Sequence, residues 1–267
     1  MSRPVALITG ASSGIGHALA LEYARRQHDV VLLARRADRL ESLASEVRAA
    51  GVEALVAAGD VSVDGDLHAA ANAATDRFGR IDVAIANAGI SVAAPFEKLS
   101  LDDYRRVFET NVFGVVRTAQ ACLPALRRSR GSFAAIGSVN GFLGLGGLST
   151  YTSSKYAVRG LCEALYIDLA PEGVSVTHVA PGFVASEIRQ VDNHGQFDAD
   201  RRDPIPSWLQ MPAATAARRI ADAITERRRE IVLTGHGKAA VALTRAAPGL
   251  VAGVLKLAGY RAMRRKD

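Results

Sequence analysis

Short apolar runs alternate with longer segments of 3.6-residue periodicity along almost the whole chain. The runs are Val5–Ile8, Val30–Leu33, Ala54–Ala57, Val83–Ala86, Phe133–Ile136, Val174–Val179 and Ile231–Leu233. Runs this short, with no polar alternation, predict strands buried on both faces, as in a parallel sheet covered by helices. Between them, Ile15–Arg26, Leu40–Ala50, Leu67–Phe78, Leu101–Arg128, Tyr151–Leu169 and Ala213–Glu226 carry apolar residues at helical spacing. Seven strands alternating with helices predict an α/β fold, a doubly wound seven-stranded parallel sheet in a single domain spanning 1–235. Residues 187–212 break the pattern: they have no clear periodicity and contain Pro204 and Pro206. A long aperiodic stretch in a compact domain predicts a loop or lid over a binding site. Residues 236–267 form a C-terminal helical extension. Ala239 to Leu243 is apolar, Pro248-Gly249 interrupts, and Leu250, Val251, Val254, Leu255 and Ala258 then share one helical face.

Composition narrows the class. A chain of 267 residues with 49% hydrophobic and 22% charged residues is ordinary globular protein. Its net charge of +6 raises nucleic acid as a partner, but arginine supplies 28 of the 33 basic residues in scattered groups such as Arg127-Arg128 and Arg227-Arg228-Arg229. Their places near predicted helix ends suit solvated cations, so no nucleic-acid partner is expected. The one concentrated basic group is Arg261, Arg264, Arg265 and Lys266, next to the apolar face of the extension. That segment has three readings: a peripheral membrane contact, a cover over a neighbouring subunit's active site, or a cover over its own core. Cys122 and Cys162 have no metal-like spacing and the histidines show no ligand pattern, so no metal site is expected. The chain passes from Met-Ser-Arg-Pro directly into an apolar strand, without the regions of a secretory leader, and a reducing, cytoplasmic setting is the expectation.

Two features carry chemistry. Thr9-Gly10-Ala11-Ser12-Ser13-Gly14-Ile15-Gly16 joins the first strand to the first helix. Glycines there permit a tight turn and close approach of backbone to a pyrophosphate, which the helix N-terminus attracts. The second feature is Tyr151 and Lys155, four residues apart and so on one helical face, with Ser138 at the end of a buried strand upstream. An ammonium beside a phenol favours the phenolate, and the pair predicts a proton-transfer site.

The glycine turn, followed by Asp60-Val61, Asn87-Ala88-Gly89, Asn111, Ser138, Tyr151-Lys155 and Pro181-Gly182 in order, resembles the short-chain dehydrogenase/reductases over roughly residues 4 to 235. The resemblance implies a Rossmann-like fold and a nicotinamide dinucleotide held by Gly10, Ser12, Ser13, Gly14, Ile15 and Gly16. By the same resemblance, the Asp60 carboxylate accepts the adenine amino group and Val61 lines the ring pocket. Asn87, Ala88 and Gly89 pack against a ribose, and the backbone near Val184, after Pro181 and Gly182, holds the nicotinamide carboxamide. Tyr151 is the implied acid/base. Lys155 tunes it and binds ribose hydroxyls, Ser138 holds the substrate oxygen, and Asn111 anchors a water linked to Lys155. Ser186 stands where the family often has threonine. The second strand ends in Arg35-Arg36 with no acidic residue before Asp38, which predicts NADP rather than NAD, with Arg35 the principal contact of the extra phosphate and Arg36 a second.

Phe142, Leu143, Leu145, Phe183, Trp208 and Met211 are the residues expected to face substrate, so a hydrophobic ketone, aldehyde or alcohol is expected. The resemblance also implies a homodimer or homotetramer, assembled through Leu101–Arg128 and Tyr151–Leu169. The expected activity is NADP-dependent interconversion of carbonyl and alcohol. The alternatives are an NAD-dependent secondary-alcohol dehydrogenase and a non-catalytic dinucleotide-binding regulator.

Overall fold

The computed structural model describes residues 3–190, 193, 200, 203 and 205–264, with side chains through residue 257. Seven strands form one sheet: β1 (Val5–Thr9), β2 (Asp29–Ala34), β3 (Ala54–Ala58), β4 (Val83–Ala86), β5 (Ser132–Ile136), β6 (Ser175–Ala180) and β7 (Glu230–Val232). Their order is β3-β2-β1-β4-β5-β6-β7 and every pairing is parallel. The chain winds outward from β1 to β3, then returns to pair β4 on the other side of β1. The crevice at the carboxyl ends of β1 and β4 is the position where this topology binds ligands.

Helices cover both faces, which explains why the strands lack polar alternation: β1, β2, β4 and β5 are buried at every position. On one face α1 (Gly14–Arg25), α2 (Ala37–Ala49) and α7 (Ala213–Thr225) contribute Leu19, Tyr23, Leu40, Leu43 and Ile220 to a single core. On the other, α3 (Asp66–Phe78), α5 (Gly114–Ser129) and α6 (Ser149–Asp168) pack Leu67, Leu126 and Cys162 against Phe133. The two thiols are free and buried, and burial pushes each up to about 12.

Three differences from the sequence pattern bear on function. The expected helix over Leu101–Arg128 is interrupted: α4 (Leu101–Phe108) leads into one π-helical turn, Glu109–Phe113, before α5 begins. The aperiodic stretch starts and ends in single 3₁₀ turns, Glu187–Arg189 and Ser207–Leu209, and Met211 pairs with Val184 in an isolated parallel bridge. Residues 191–192, 194–199, 201–202 and 204 of the expected lid lie outside the described residues.

The extension is two helices, α8 (Gly235–Ala246) and α9 (Pro248–Arg264). Thr234 caps α8 by accepting from the Gly237 amide, and Val241 is buried with Val139, Phe142 and Ala180. α8 therefore completes the core beside β6. α9 turns away from it and leaves Leu250, Val254 and Leu257 exposed. Among the described residues no single helix is long and apolar enough to cross a membrane, and α8 with Pro248–Leu257 reaches that composition only as a pair bent by 118°. The side chains of Ala258, Arg261 and Arg264, together with Arg265 and Lys266, lie outside the described set.

Candidate active site

The glycine turn at the β1–α1 junction is shaped by close approach. Gly10 and Gly14 have φ of 65° and 56°, a region that side chains rarely adopt. A Cβ on Gly10 would lie 2.8 Å from the Ala88 Cα, and one on Gly16 would collide with the Gly10 carbonyl. Asn87 locks this geometry from β4: its Nδ2 donates to the carbonyls of Thr9 (2.9 Å) and Gly10 (3.2 Å). The Thr9 hydroxyl in turn accepts from the amides of Asn87 and Ala88. Asn87 and Ala88 thus hold the turn itself, a role the sequence did not show. Ser13, the residue before α1, makes no side-chain cap, and among the described residues no side chain claims the first-turn amides. Unclaimed amides at a helix N-terminus, above a turn that admits no Cβ at Gly10 or Gly16, fit a diphosphate.

Ser138, Tyr151 and Lys155 converge across the same crevice. Ser138 follows β5 in an extended conformation, φ −171°, and its Oγ accepts from the Asn140 amide at 3.1 Å. Gly137 before it is fixed by packing, because a Cβ there would collide with His178 Nε2. Tyr151 and Lys155 stand on successive turns of α6. Lys155 is 4% exposed, its Nζ donates to the Ile136 carbonyl at 2.8 Å, and the same atom lies 5.4 Å from the Tyr151 ring centroid. Burial lowers the Lys155 ammonium to about 8.

The expected depression of the Tyr151 pKa is not found in the protein alone. Burial raises the phenol above its ordinary value, and a hydrogen bond with Ser138 and the charge of Arg189 only partly oppose it. The reason is geometric: the ammonium points at a backbone carbonyl and the ring face. Asn111 bonds protein groups on two sides. It is fully buried in the π turn, and its amide accepts from the Ile90 amide (2.8 Å) and donates to the Ile90 carbonyl (2.9 Å) and Ser154 Oγ (3.0 Å). Its side chain braces the strand-end loop against α6. Gly89 borders Lys155, with a would-be Cβ 3.7 Å from Nζ.

At the end expected to hold adenosine, the two arginines after β2 have different surroundings. Arg35 is turned outward, two-thirds exposed, with Nη1 3.8 Å from Asp60 Oδ2. Arg36 points inward: Nε and Nη2 bond Ser12 Oγ at 3.2 and 3.0 Å, Nη2 bonds Ser13 Oγ at 3.0 Å, and Nη1 meets Glu187 Oε2 at 3.1 Å. Arg39, one turn into α2, bonds the same carboxylate at 2.7 and 3.0 Å. Arg35 and Arg36 follow the end of β2 and point to opposite sides, and in the protein alone it is Arg36 that faces the glycine turn. Asp60 Oδ1 accepts from the amide and hydroxyl of Ser62, and Val61 is buried against Gly114. Both hold the turn after β3.

At the opposite end, the Pro181 carbonyl accepts from the Val139 amide, and a Cβ on Gly182 would collide with Thr234 Oγ1. The Val184 carbonyl accepts from Arg189, which is ion-paired to Asp203 at 2.7 Å. His236, at the start of α8, accepts from the Phe183 amide through Nε2 at 3.2 Å and stacks on the Phe183 ring with centroids 5.1 Å apart. His236, Arg189, Arg39 and Glu187 are site residues the sequence reading missed. A histidine just past β7 was the one visible signal among them. Phe142, expected to face substrate, is buried with Val139, Ala180 and Val241. It is 5% exposed, with the Arg159 and Arg245 guanidinium groups 4.2 and 5.1 Å from its ring centroid. Leu143 packs beside it, Met211 packs against the core of the α7 face, and Trp208 is 81% exposed.

A crevice that couples a diphosphate cradle to a buried ammonium and a phenol suits redox chemistry on a bound dinucleotide, and the class is that of the nucleotide-dependent oxidoreductases. Within that class the chain belongs to the short chain dehydrogenase family, whose profile matches residues 4–196. It is 37% identical over 222 residues to the 11-beta-hydroxysteroid dehydrogenase-like 4A of Arabidopsis thaliana, covering 82% of this chain and 71% of that one. It is 38% identical over 194 residues to an uncharacterized oxidoreductase of Myxococcus xanthus, covering 72% and 77%. A short-chain dehydrogenase from Sphingobium yanoikuyae in complex with NADPH superposes with a TM-score of 0.76 at 30% identity, covering 99% of this chain and 96% of that one. A family member from Burkholderia phymatum in complex with NAD gives 0.83 at 29% identity, covering 93% and 95%.

Proposed function

We propose that the protein reduces a hydrophobic ketone or aldehyde to the alcohol, and catalyses the reverse oxidation, with NADP as cofactor. The observation that carries the reading is the convergence of Ser138, Tyr151 and Lys155 on the crevice floored by the glycine turn. The bound nicotinamide supplies or accepts the hydride. The chain's own residues handle the oxygen and its proton. The Ser138 hydroxyl hydrogen-bonds the carbonyl oxygen where negative charge develops, and the Tyr151 hydroxyl donates the proton that completes the alcohol. A phenol held above its ordinary pKa keeps that proton through neutral pH, which suits the direction of reduction. Lys155 places a positive charge below the ring and orients it. Phe183 and Leu145, both partly buried, support an apolar substrate.

NADP is favoured by the inward Arg36, the neighbouring Arg39 and the hydroxyls of Ser12 and Ser13, with no acidic residue at the end of β2. The test is turnover of a panel of ketones and secondary alcohols followed by nicotinamide absorbance with NADPH and with NADH. Tyr151→Phe should bind NADPH as the parent does and lose about 10³-fold in kcat. Retention of near-parent turnover in that variant sinks the assignment.

We also infer self-assembly through α5 and α6. Leu123, Leu161 and Leu165 line an apolar cleft of about 230 Å³ between these helices, and Ile167 on α6 is 72% exposed. Sedimentation velocity should give a dimer or tetramer. α9 is proposed to pack on a neighbouring copy. Co-sedimentation of the full chain with anionic vesicles, absent in a chain ending at Ala246, would instead assign it to a membrane surface.

A further inference from the structure

We infer that Glu187 is a built-in competitor for the cofactor's ribose phosphate: its carboxylate occupies the anion seat formed by Arg36, Arg39, Ser12 and Ser13, and must leave when NADP binds. This rests on the NADP reading above and goes beyond it by naming the residue that sets selectivity.

The seat has the makeup of a phosphate site. Two guanidinium groups at the start of α2 converge on one carboxylate, which is brought by a segment more than 140 positions away in sequence, and two hydroxyls of the glycine turn bond the Arg36 guanidinium. Ser12 and Ser13 are tied to Arg36 by three hydrogen bonds, so the guanidinium plane is oriented before any ligand arrives. A cavity of about 340 Å³ opens directly beside the seat, between Ser13, His17, Arg39, Ser42 and Glu187. Gly14 forms part of its wall and approaches Ser186, with a would-be Cβ 3.1 Å from the Ser186 Cβ, so the segment carrying Glu187 lies against the end of the glycine turn. Burial works against the Glu187 charge, but hydrogen bonds from Arg39 and Arg36 outweigh it and hold the carboxyl below its usual range. Glu187 is therefore a fixed anion wherever the enzyme works.

A ribose phosphate can replace it because it brings close to two charges and three acceptor oxygens to a seat that Glu187 serves with one charge and two. A cofactor without that phosphate offers the arginines no substitute and leaves Glu187 in place. The closed seat lowers the apparent affinity for NADP in proportion to the population of the closed form, while binding at the adenosine of NAD is indifferent to it. The Glu187–Arg189 turn also carries Arg189, which bonds the Val184 carbonyl and bears on Tyr151. Displacement of Glu187 thus links the phosphate to the wall beside the reacting carbon.

Calorimetric titration of the full-length parent and Glu187→Gln with NADP⁺ and with NAD⁺ tests the inference, with thermal melting to verify that the variant is folded and Glu187→Ala as a second variant. Both variants should bind NADP⁺ about tenfold more tightly and NAD⁺ within twofold of the parent. Arg39→Ala in the Glu187→Gln background should abolish the gain. An equal gain for both cofactors would mean that Glu187 obstructs the whole crevice, and no gain or a loss for NADP⁺ would make it a support for the arginines. Either result overturns the inference while leaving the NADP reading intact. That reading fails separately if the parent prefers NAD⁺ and Arg36→Ala leaves NADP⁺ binding unchanged.

Discussion

Lys155 is a lysine in a chain that otherwise prefers arginine, buried on the floor of the crevice with its ammonium against the Ile136 carbonyl. A guanidinium stays charged under all working conditions, whereas a buried ammonium near 8 titrates within reach of them. For carbonyl reduction, kcat/KM should therefore fall as pH rises through about 8, and Lys155→Met should remove that limb along with most of the rate, as a pH profile would show. The stability consequence has the opposite slope. Between about 8 and 10.5 the unfolded chain holds a proton that the folded chain has released, so Lys155 makes the fold more stable as pH rises across that window, and its cost is fully present below it. The helical spacing of Tyr151 and Lys155 was readable in the sequence because i and i+4 share a face in any helix. The raised phenol was not, since burial depends on elements packed around α6. Arg39 was equally hidden: one turn into a surface helix, it has the look of a solvated charge until the fold brings Glu187 to it.

The π turn at Glu109–Phe113 belongs to the scale of the element. Apolar residues continue in helical phase from Val107 to Leu126, and neither proline nor glycine falls within the turn, so the pattern reads as one helix. What breaks it is a tertiary demand: Asn111 must reach both backbone groups of Ile90 and the Ser154 hydroxyl at once, and an inserted residue delivers it. Asn111→Ala would leave a buried amide and carbonyl without partners, at a cost of about 3 kcal/mol. Denaturant midpoints should register that loss, with a fall in kcat because Ile90 adjoins Gly89 and Lys155. Strands were far more legible than this helix, each placed to within about a residue, because strands buried on both faces are contiguous apolar runs in the sequence itself. At the rim, Glu230 on β7 is held at about 2: burial pushes it up, but His178 and Arg245 pull it down further. Its contribution to stability is present above 4.5 and disappears as pH falls through about 2. Removing Arg245 should move that loss to higher pH, and acid-unfolding curves of Arg245→Ala would record the shift.

At the scale of the whole molecule, the two helices after β7 divide unequally between scaffold and surface. α8 buries Val241 over Val139 and Phe142 and sends Arg245 to Glu230, while α9 shares little with the body. A chain ending at Ala246 should melt within a few degrees of the full one and keep its turnover. A chain ending at Thr234 uncovers the Phe142 cluster and should unfold or lose activity, as circular dichroism and assay would report. The apolar residues of the extension could not say which half completes a core.

α8 is also a lever. Its twelve residues make a rod about 18 Å long, with His236 pressed on Phe183 at one end and the elbow to α9 at the other. Whatever grips α9 pulls on the wall beside the reactive centre, and the reach of that pull is fixed by the stiffness of three helical turns.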